Sequence, residues 1–490
     1  MRRFRYAEPA LTFDDVLVVP AKSKILPKDV TLTARLTAGI GLKIPIISAA
    51  MDTVTEHQLA IALARQGGIG IIHKNLMPDR QAKEVSLVKR SQSGKITNPL
   101  TLGPDHTLVQ AQELMGIYKF SSVPIVEGRK LVGLVTKSDC EMWMEEKDKL
   151  VGDFMKPVSK LVCGIPDMTM DEALQKMRDE RVKRLPLVDQ DGNLAGLYTI
   201  KDITKKIEYP GAAVDENKRL LVGAAIGVGD DLMHRVELLI EAGADILCFD
   251  SSHGHSEGVL VSIEKIKKAW PDIPMIGGNI ATAEGARALI EAGVDAVKVG
   301  VGPGSICTTR VITGCGMPQI TAVAEAAFEA RKHGITVIAD GGIRYSGDIV
   351  RALTAGADTV MVGSLLAGTL ESPGETKLYK GQYWKIYRGM GSIQAMVDGS
   401  AELYFQDKNA GPSTLVPEGI AGKVPYKGPT ADVIFQLIGG LRSGMGRVGA
   451  PDIQSLWEKK FVLVTQAGVA ESHVHNVEIT DEAPNYPSVR

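Results

Sequence analysis

The chain lacks the features that mark secreted, membrane-spanning and nucleic-acid-binding proteins. Its five cysteines are odd in number and include no C-x-x-C pair, which argues against a disulfide framework or a zinc site and for a reducing compartment. The basic N-terminus has no apolar segment behind it, so it is not a signal peptide, and no run of 18 apolar residues could span a membrane. The net charge of −2 offers no basic surface for nucleic acid. We therefore expect a cytoplasmic protein.

Glycine is abundant, at 52 of 490 residues, and short apolar runs recur between amphipathic helical stretches. The eight runs begin at Ile44, Gly67, Leu220, Asp245, Pro274, Asp295, Thr336 and Asp358. Three of them follow an Ala-Gly dipeptide, in EAGAD at Glu241, EAGVD at Glu291 and TAGAD at Thr354. A glycine after a helix and before a buried Val/Ile run is typical of an αβ loop. Eight such units predict an α/β fold, a (β/α)₈ TIM barrel, with a doubly wound open sheet as the alternative.

An internal repeat separates the second apolar run from the third. One copy begins at Pro104 and the other at Pro166, and each reads helix, strand, tight turn, strand, short helix. The copies resemble cystathionine-β-synthase-type (CBS) repeats, which often bind adenine or guanine nucleotides. The resemblance implies that two pairs of residues contact ribose, Thr136 with Asp139 and Thr199 with Asp202. From the residues alone, the two aspartates are equally suited to cap the helices that follow.

These patterns divide the chain into four segments. We predict a first part of the barrel at residues 1–94, CBS repeats at 95–152 and 153–210, and the rest of the barrel at 211–490.

In a barrel the reacting groups lie at the carboxyl ends of the strands. Those ends carry Asp250-Ser-Ser-His253, Gly277-Gly-Asn279, the loop GPGSICTTR with Cys307, Asp340-Gly-Gly342 and Gly363-Ser364. A cysteine on a glycine-rich loop is placed as a nucleophile, although a buried small residue in a tight turn is the alternative. The glycines after the seventh and eighth strands suit phosphate. The two aspartates suit ribose hydroxyls or structural caps.

Specific motifs resemble those of the IMP dehydrogenase family from TFDDV at Thr12 to EAPNY at Glu482. They are SAAMDTVTE from Ser48, GGIGIIHKN from Gly67, GGNIAT from Gly277, VGPGSICTTR from Val301, ADGGIRYSGDI from Ala339, YRGMGS from Tyr387, VPEGI from Val416 and AESHVH from Ala470. The resemblance implies that Cys307 attacks C2 of inosine 5′-monophosphate (IMP), that hydride leaves to NAD, and that the thioimidate is hydrolysed to xanthosine 5′-monophosphate.

The resemblance also assigns site residues. Catalysis would use Cys307, Thr309, Tyr404 and Glu418; IMP would be held by Ser305, Asp340, Gly341, Gly342, Gly363, Ser364, Tyr387, Arg388, Gly389, Met390, Gly391 and Glu418. NAD would face Asp250, Ser251, His253, Gly300, Val301 and Gly302. Potassium would be bound by carbonyls of Gly302, Gly304 and Cys307, completed by Glu471, Ser472 and His473 of a neighbouring subunit. That arrangement implies a homotetramer, with an octamer left open.

One position departs from the family pattern. Members usually carry an Arg-Tyr pair on a mobile flap, which the resemblance places at about residues 392–424, and this chain has Leu403 before Tyr404. The family arginine is thought to activate the hydrolytic water, and leucine cannot hold or move a proton. Thr309 and Glu418 are the second route, or Leu403 is a silent change.

Two alternatives to a dehydrogenase follow. The first is a guanosine monophosphate (GMP) reductase, a related enzyme whose members are expected to lack the insert and the long flap. The second is a nucleotide-sensing homologue whose hydrolysis is impaired by Leu403.

Overall fold

A computed structural model describes residues 8–91, 96, 99–118, 120–407 and 411–486, except the side chains of residues 201, 202, 205 and 206. The chain divides into two compact units. The larger comprises Met1–Val88, Gly211–Ala213 and Leu221–Arg490, and the smaller comprises Lys89–Pro210 and Val214–Leu220. The boundary predicted between residues 94 and 95 lies outside the described residues, and so does a small part of the flap, residues 408–410.

Eight parallel strands close into a barrel, which excludes the open-sheet alternative. They are β1 (Ile46–Ser48), β2 (Ile69–Ile72), β3 (Val222–Ile226), β4 (Ile246–Phe249), β5 (Met275–Ile280), β6 (Ala296–Val299), β7 (Thr336–Asp340) and β8 (Thr359–Val362). Each strand pairs with the next one along the chain, and β8 pairs with β1. Each predicted apolar run therefore supplies one strand.

Eight helices follow the strands. They are α1 (His57–Arg65), α2 (Pro78–Ser91), α3 (Leu232–Glu241), α4 (Glu257–Ala269), α5 (Ala283–Glu291), α6 (Gln319–Lys332), α7 (Ser346–Thr354) and α8 (Thr430–Val448). The Ala-Gly dipeptides lie where predicted, directly after helices α3, α5 and α7. Their glycines Gly243, Gly293 and Gly356 have φ values of 90°, 103° and 118°, a conformation that favours glycine.

Apolar side chains fill the barrel. Ile47, Ile71, Ile276 and Ile338 belong to this core and are fully buried. Cys248 on β4 lies among them, and burial raises the pKa of its thiol to about 12. A thiol held protonated in the core is inert, so Cys248 is a packing residue.

Shorter elements surround the barrel. The strands are Val16–Val18 with Phe461–Leu463, Ala34–Arg35 with Gly41–Leu42, and a sheet of Thr376–Tyr379, Gln382–Arg388 and Ala421–Pro425. The helices are Thr309–Thr313, Ser364–Ala367, Ile393–Val397 and Gln466–Ser472, with 3₁₀ turns at Phe13–Asp15, Pro27–Asp29, Ser400–Tyr404, Pro412–Thr414 and Gln454–Glu458. No helix in the described part of the chain is long and apolar enough to cross a membrane.

The smaller unit shows the repeated pattern twice. The first copy has Leu108–Tyr118, Ser122–Glu127, Lys130–Thr136 and Lys137–Met142, followed by Val151–Phe154, Lys156–Pro157 and Val158–Lys160; the second has Met170–Asp179, Arg184–Val188, Leu194–Thr199 and Ile200–Glu208. Each copy packs its own apolar core. Small antiparallel sheets and helices of this kind are consistent with a CBS insert.

Of the two predicted ribose contacts, the first is a helix cap in this structure. The Asp139 carboxylate accepts hydrogen bonds from the Thr136 N–H at 2.8 Å and from its hydroxyl at 2.7 Å. The side chain of Asp202, in the second copy, lies outside the described residues.

Candidate active site

The loop between β6 and α6 carries Cys307. Its backbone turns away from β6 at Gly300, where φ is 153° and a Cβ atom would lie 2.0 Å from the Asp340 carbonyl oxygen. Only glycine fits there, so the loop passes directly against the end of β7. The half-buried Cys307 thiol donates to the Thr309 hydroxyl at 3.2 Å. The predicted nucleophile and one predicted catalytic partner are therefore in contact.

Hydrogen bonds from α6 and the short helix before it hold this loop. The Arg310 guanidinium donates to the Val301 carbonyl at 2.9 Å. Gln319, fully buried at the start of α6, donates to the carbonyls of Val299 and Asp340 at 2.8 and 3.0 Å. The entrance of the loop is thus tied to both neighbouring strands.

The segment around Glu418 runs antiparallel to the cysteine loop. The Thr308 N–H donates to the Glu418 carbonyl at 2.9 Å, and the Ile420 N–H donates to the Ile306 carbonyl at 3.0 Å. The Glu418 N–H donates in turn to the Gly391 carbonyl at 3.0 Å. Glu418 therefore lies beside the loop of Cys307, although the two are more than a hundred residues apart.

The predicted IMP residues gather around the same loop. The Tyr387 hydroxyl hydrogen-bonds the Ser305 side chain, and burial raises the pKa of Tyr387 to about 12. A Cβ atom on Gly341 would lie 3.3 Å from the Gly304 nitrogen, and one on Gly363 would lie 3.2 Å from the Tyr387 hydroxyl. Gly342 and Ser364 follow in the same two strand-end loops, and Gly389 and Met390 follow Tyr387 in the chain.

The side chain of Arg388 is already paired. Its guanidinium contacts the Asp52 carboxylate at 2.6 Å and the Asp398 carboxylate at 2.8 Å. The amide of Asn75 donates to the same Asp52 carboxylate at 2.9 Å. The guanidinium of Arg388 is thus engaged by two carboxylates, and its backbone N–H donates to the Thr53 hydroxyl at 3.2 Å.

Lys298 is a site residue that the sequence analysis missed. It lies on β6, is 1% exposed, and donates to Asp250 Oδ1 at 2.7 Å, to Asp340 Oδ2 at 3.1 Å and to Asn279 Oδ1. Asn279 also donates to Asp340 Oδ2 at 2.9 Å. The signal was a lysine inside the otherwise apolar run DAVKVG.

The predicted NAD residues lie at the ends of β4 and β6. Ser251 is buried, its carbonyl accepts from the Asn279 N–H at 2.9 Å, and its hydroxyl accepts from the N–H of the exposed His253 at 3.3 Å. Gly300 to Gly302 continue from β6 toward the cysteine loop.

The flap residues dock on the barrel. The Ser252 N–H donates to the Leu403 carbonyl at 3.1 Å, and the buried Lys74 at the end of β2 donates to the Glu402 carboxylate at 2.9 Å. Leu403 is buried. Burial, together with the nearby Cys307, Asp250 and Glu418, holds the pKa of Tyr404 above its ordinary value.

The carbonyls predicted to bind potassium lie on the loop of Cys307. Gly302 and Gly304 carry no side chain to screen their carbonyls, and the Gly304 carbonyl also accepts from the Cys307 N–H at 3.1 Å. Glu471 and Ser472 are exposed at the end of a short helix, and the His473 ring lies 3.0 Å from the Tyr486 hydroxyl. No group of three His, Cys, Asp or Glu side chains in the described ranges is arranged to hold a metal.

Comparisons with known proteins agree over nearly the whole chain. The family described as IMP dehydrogenase / GMP reductase domain matches residues 10–475. Inosine-5′-monophosphate dehydrogenase of Bacillus subtilis is 54% identical over 98% of this chain and 99% of its own length. The enzyme of the same name from Aquifex aeolicus is 56% identical over 97% of both chains.

A solved structure corrects one expectation. GMP reductase from Trypanosoma brucei, an alanine-for-cysteine variant in complex with guanosine 5′-monophosphate, has a TM-score of 0.89 and 40% identity. The match covers 98% of this chain and 100% of that one, so a GMP reductase can have the full length of this chain, insert included. The insert therefore does not separate the two activities. Together with the full-length dehydrogenase relatives, these matches show that the chain belongs to the IMP dehydrogenase / GMP reductase family.

Proposed function

We propose that the protein is an NAD-dependent IMP dehydrogenase that forms xanthosine 5′-monophosphate, the committed step of guanine nucleotide synthesis. The observation that carries this proposal is full-length identity of 54–56% to dehydrogenases. The geometry around Cys307 supports it, because a thiol, a hydroxyl and two strand-end carboxylates converge where a nucleotide base and its ribose could be held.

In the first half-reaction the Cys307 sulfur forms a bond to C2 of the purine. NAD would supply the acceptor for the hydride as the C2–H bond breaks, and the thiolate would be left bonded to C2 as a thioimidate. A thiolate suits both directions, because it is a strong nucleophile at neutral pH and a workable leaving group later. The Thr309 hydroxyl, 3.2 Å from the sulfur, accepts the thiol proton's hydrogen bond and so orients the sulfur.

IMP would be held on three sides of that thiol. Asp340 would accept from its ribose hydroxyls, while the N–H groups of Gly341, Gly342, Gly363 and Ser364 would donate to its phosphate. Tyr387 and the backbone from Arg388 to Gly391 would cover the base, with Glu418 beside it. NAD would lie against Asp250, Ser251, His253 and the backbone of Gly300 to Gly302.

In the second half-reaction water adds to C2, the C–S bond breaks and the thiolate leaves, with one proton kept by the product and the other taken from the water. Leu403 cannot take that proton. Thr309 and Glu418 would take it instead, a role supported by the contact of Thr309 with the sulfur and by the antiparallel pairing of the Glu418 segment with the cysteine loop. Tyr404, docked on Gly391, would help to exclude bulk solvent.

Potassium and a second subunit complete the proposal. Carbonyls of Gly302, Gly304 and Cys307 would bind the ion, joined by Glu471, Ser472 and His473 of a neighbouring subunit in a homotetramer. Carbonyl cages select between potassium and sodium by size and oxygen number. Removing potassium should therefore lower NADH production, and sodium should restore it only in part. Equal rates in either ion and in neither would contradict this site.

The CBS repeats would bind a regulatory adenine or guanine nucleotide. A test is the change in steady-state rate when each nucleotide is added to the full chain, with the same chain lacking residues 95–209 as control. A response that survives this deletion would contradict nucleotide binding at the repeats.

One assay separates the two activities of the family. Purified protein is supplied with IMP and NAD, or with GMP and a reduced nicotinamide cofactor, and absorbance of the reduced cofactor is followed. NADH formation from IMP, with no oxidation of cofactor by GMP, is expected. The reverse result would make the protein a GMP reductase, and a burst of NADH without turnover would favour the nucleotide-sensing alternative.

A further inference from the structure

Lys298 holds a cation inside the barrel, where a lone charge is costly. Its amine has three N–H groups, and it meets three acceptors, one oxygen each on Asp250, Asn279 and Asp340. The hydrogen-bonding capacity of the ammonium group is therefore fully used. A buried charge with all its donors paired can be tolerated, whereas removing a partner is strongly destabilising.

The charge balance keeps this amine protonated. Burial alone lowers the pKa of Lys298, but the charges of Asp250 and Asp340 more than offset it, so that the pKa lies above the ordinary lysine value. One positive charge thus faces two carboxylates, which would repel each other without it. The two carboxylates come from the ends of β4 and β7, so Lys298 on β6 bridges groups of separate strands.

Each of these carboxylates accepts hydrogen bonds from the described residues through only one of its two oxygens. Lys298 contacts Oδ1 of Asp250, and it contacts Oδ2 of Asp340, which also accepts from Asn279. Within the described residues, no hydrogen bond reaches Asp250 Oδ2 or Asp340 Oδ1. Each carboxylate therefore offers one fixed oxygen to a donor from outside the chain.

We infer that Lys298 is a positioning residue that couples the IMP site to the NAD site by fixing one oxygen of Asp340 and one of Asp250. The other oxygen of each carboxylate then receives a ribose hydroxyl, that of IMP at Asp340 and that of NAD at Asp250. This inference rests on the proposed function, and it adds that Lys298 holds the carboxylates that bind both substrates. It predicts that one substitution on β6 weakens both substrates, whereas a substitution at either aspartate weakens mainly one.

The test compares Lys298→Met and Lys298→Arg with Lys267→Met. Lys267 is a matched control, because it pairs with the Asp295 carboxylate at 2.8 Å at the opposite end of the barrel. Losing a charged hydrogen bond shared by two sites should raise KM for IMP and KM for NAD each by about tenfold or more in Lys298→Met. Lys298→Arg should recover part of both, and Lys267→Met should change neither.

A pH profile adds a readout that a structural role would not move. Without the cation, the paired carboxylates should hold a proton more tightly, so kcat/KM should begin to fall at a higher pH on the acid side than in the parent. Lys267→Met should keep the parent profile. A lower kcat with both KM values and the profile unchanged would overturn the inference, and so would a rise in only one KM.

Binding measurements keep this test separate from the proposed activity. Calorimetric titration of IMP, and of NAD, into parent and Lys298→Met reports both affinities without turnover. If the parent binds IMP and NAD but makes no NADH, the proposed function fails, while the role of Lys298 in binding is still tested. If Lys298→Met does not fold, the neutral Lys298→Gln takes its place: a loss of both affinities in that folded variant supports the inference, and parental affinities in it overturn the inference.

Discussion

The barrel carries aspartates at both ends of its strands, and the two sets differ in what they bond. At the amino end, Asp245, Asp295 and Asp358 accept hydrogen bonds from the N–H groups of Val222, Met275 and Val337 at 2.8, 2.8 and 2.9 Å. Their own N–H groups return bonds to the carbonyls of the same three residues at 2.9, 2.8 and 2.8 Å. Each of these aspartates therefore clamps β4, β6 or β8 to the strand before it.

At the carboxyl end, Asp250 and Asp340 bond to a side-chain cation rather than to backbone. Each keeps one oxygen to which no described residue donates. The amino-end carboxylates join the backbones of neighbouring strands, whereas these two are held by one side-chain cation from a third strand. The comparison teaches that the partner of a strand-end carboxylate, more than its position in the sequence, separates a structural aspartate from a binding one.

The largest effect is expected at the carboxyl end, on Cys307. Cys307→Ala should lower NADH production from IMP by more than about a hundredfold and leave IMP binding nearly intact, because only the covalent step is lost. The measurements are steady-state absorbance and calorimetry. Cys315→Ala is the matched control, since Cys315 is exposed eight residues further on. Turnover above about a hundredth of the parent would contradict the assignment.

A pair of substitutions tests the two ends against each other. Asp340→Asn should raise KM for IMP by about tenfold or more, because it weakens a charged acceptor, and it should also lower stability, because the buried Lys298 cation loses one of its two carboxylates. Asp295→Asn should instead leave both KM values unchanged and lower stability by about 1 kcal/mol, through its weakened bonds to Met275 and Lys267. If Asp295→Asn raises KM for IMP and Asp340→Asn does not, the distinction between the ends fails.

The repeated chain pattern predicted the fold well for a physical reason. Most barrel units are local βα segments, and in three of them the apolar run, the helix and the Ala-Gly turn lie within about 25 residues of sequence. The same holds for the two copies of the insert. Neighbouring units then close the barrel, so local pattern and global fold agree.

The site was predictable in part. Cys307, Asp250 and Asp340 could be found because the ends of parallel strands meet at one face. Their shared cation could not, because Lys298 reads as one polar residue in an apolar strand until the register of β4, β6 and β7 is known. The pairing of Arg388 with Asp52 spans 336 residues, and no local pattern predicts it.

A middle-sized effect concerns the flap, which docks on the same carboxyl end. If Leu403 slows hydrolysis, IMP and NAD should give a burst of NADH near one per active site, followed by a slower steady rate. Leu403→Arg should raise the steady rate severalfold and leave the burst alone, because hydride transfer precedes hydrolysis. Rapid-quench kinetics measure both phases.

A separate substitution tests whether Thr309 and Glu418 take the proton from the hydrolytic water. Glu418→Gln should lower the steady rate of the parent strongly, since Thr309 and Glu418 are the remaining groups placed to take the proton. In Leu403→Arg the same substitution should cost less. Fast turnover without a burst, unchanged by either substitution, would show that the hydrolytic half of the proposal is wrong.

The last effect is expected at the amino end of the barrel, on Asp358, and it concerns stability alone. Burial raises the pKa of Asp358 from 3.8 to about 6, despite its bond from the Val337 N–H. The folded chain therefore binds the Asp358 proton more tightly than the unfolded chain does. The contribution of Asp358 to stability should fall as the pH rises from about 4 to about 6 and stay level above that.

Asp358→Asn keeps an acceptor for Val337 and removes the titrating charge. Denaturation midpoints should lose that slope in the variant, whose stability above pH 6 should exceed the parent's by on the order of 1–2 kcal/mol. Asp295→Asn should gain nothing at any pH, because Lys267 already neutralises that carboxylate. If the denaturation midpoint of Asp358→Asn still falls as the pH rises from about 4 to about 6, another group causes that pH dependence. Asp358 would then no longer belong in the comparison between the two ends of the barrel.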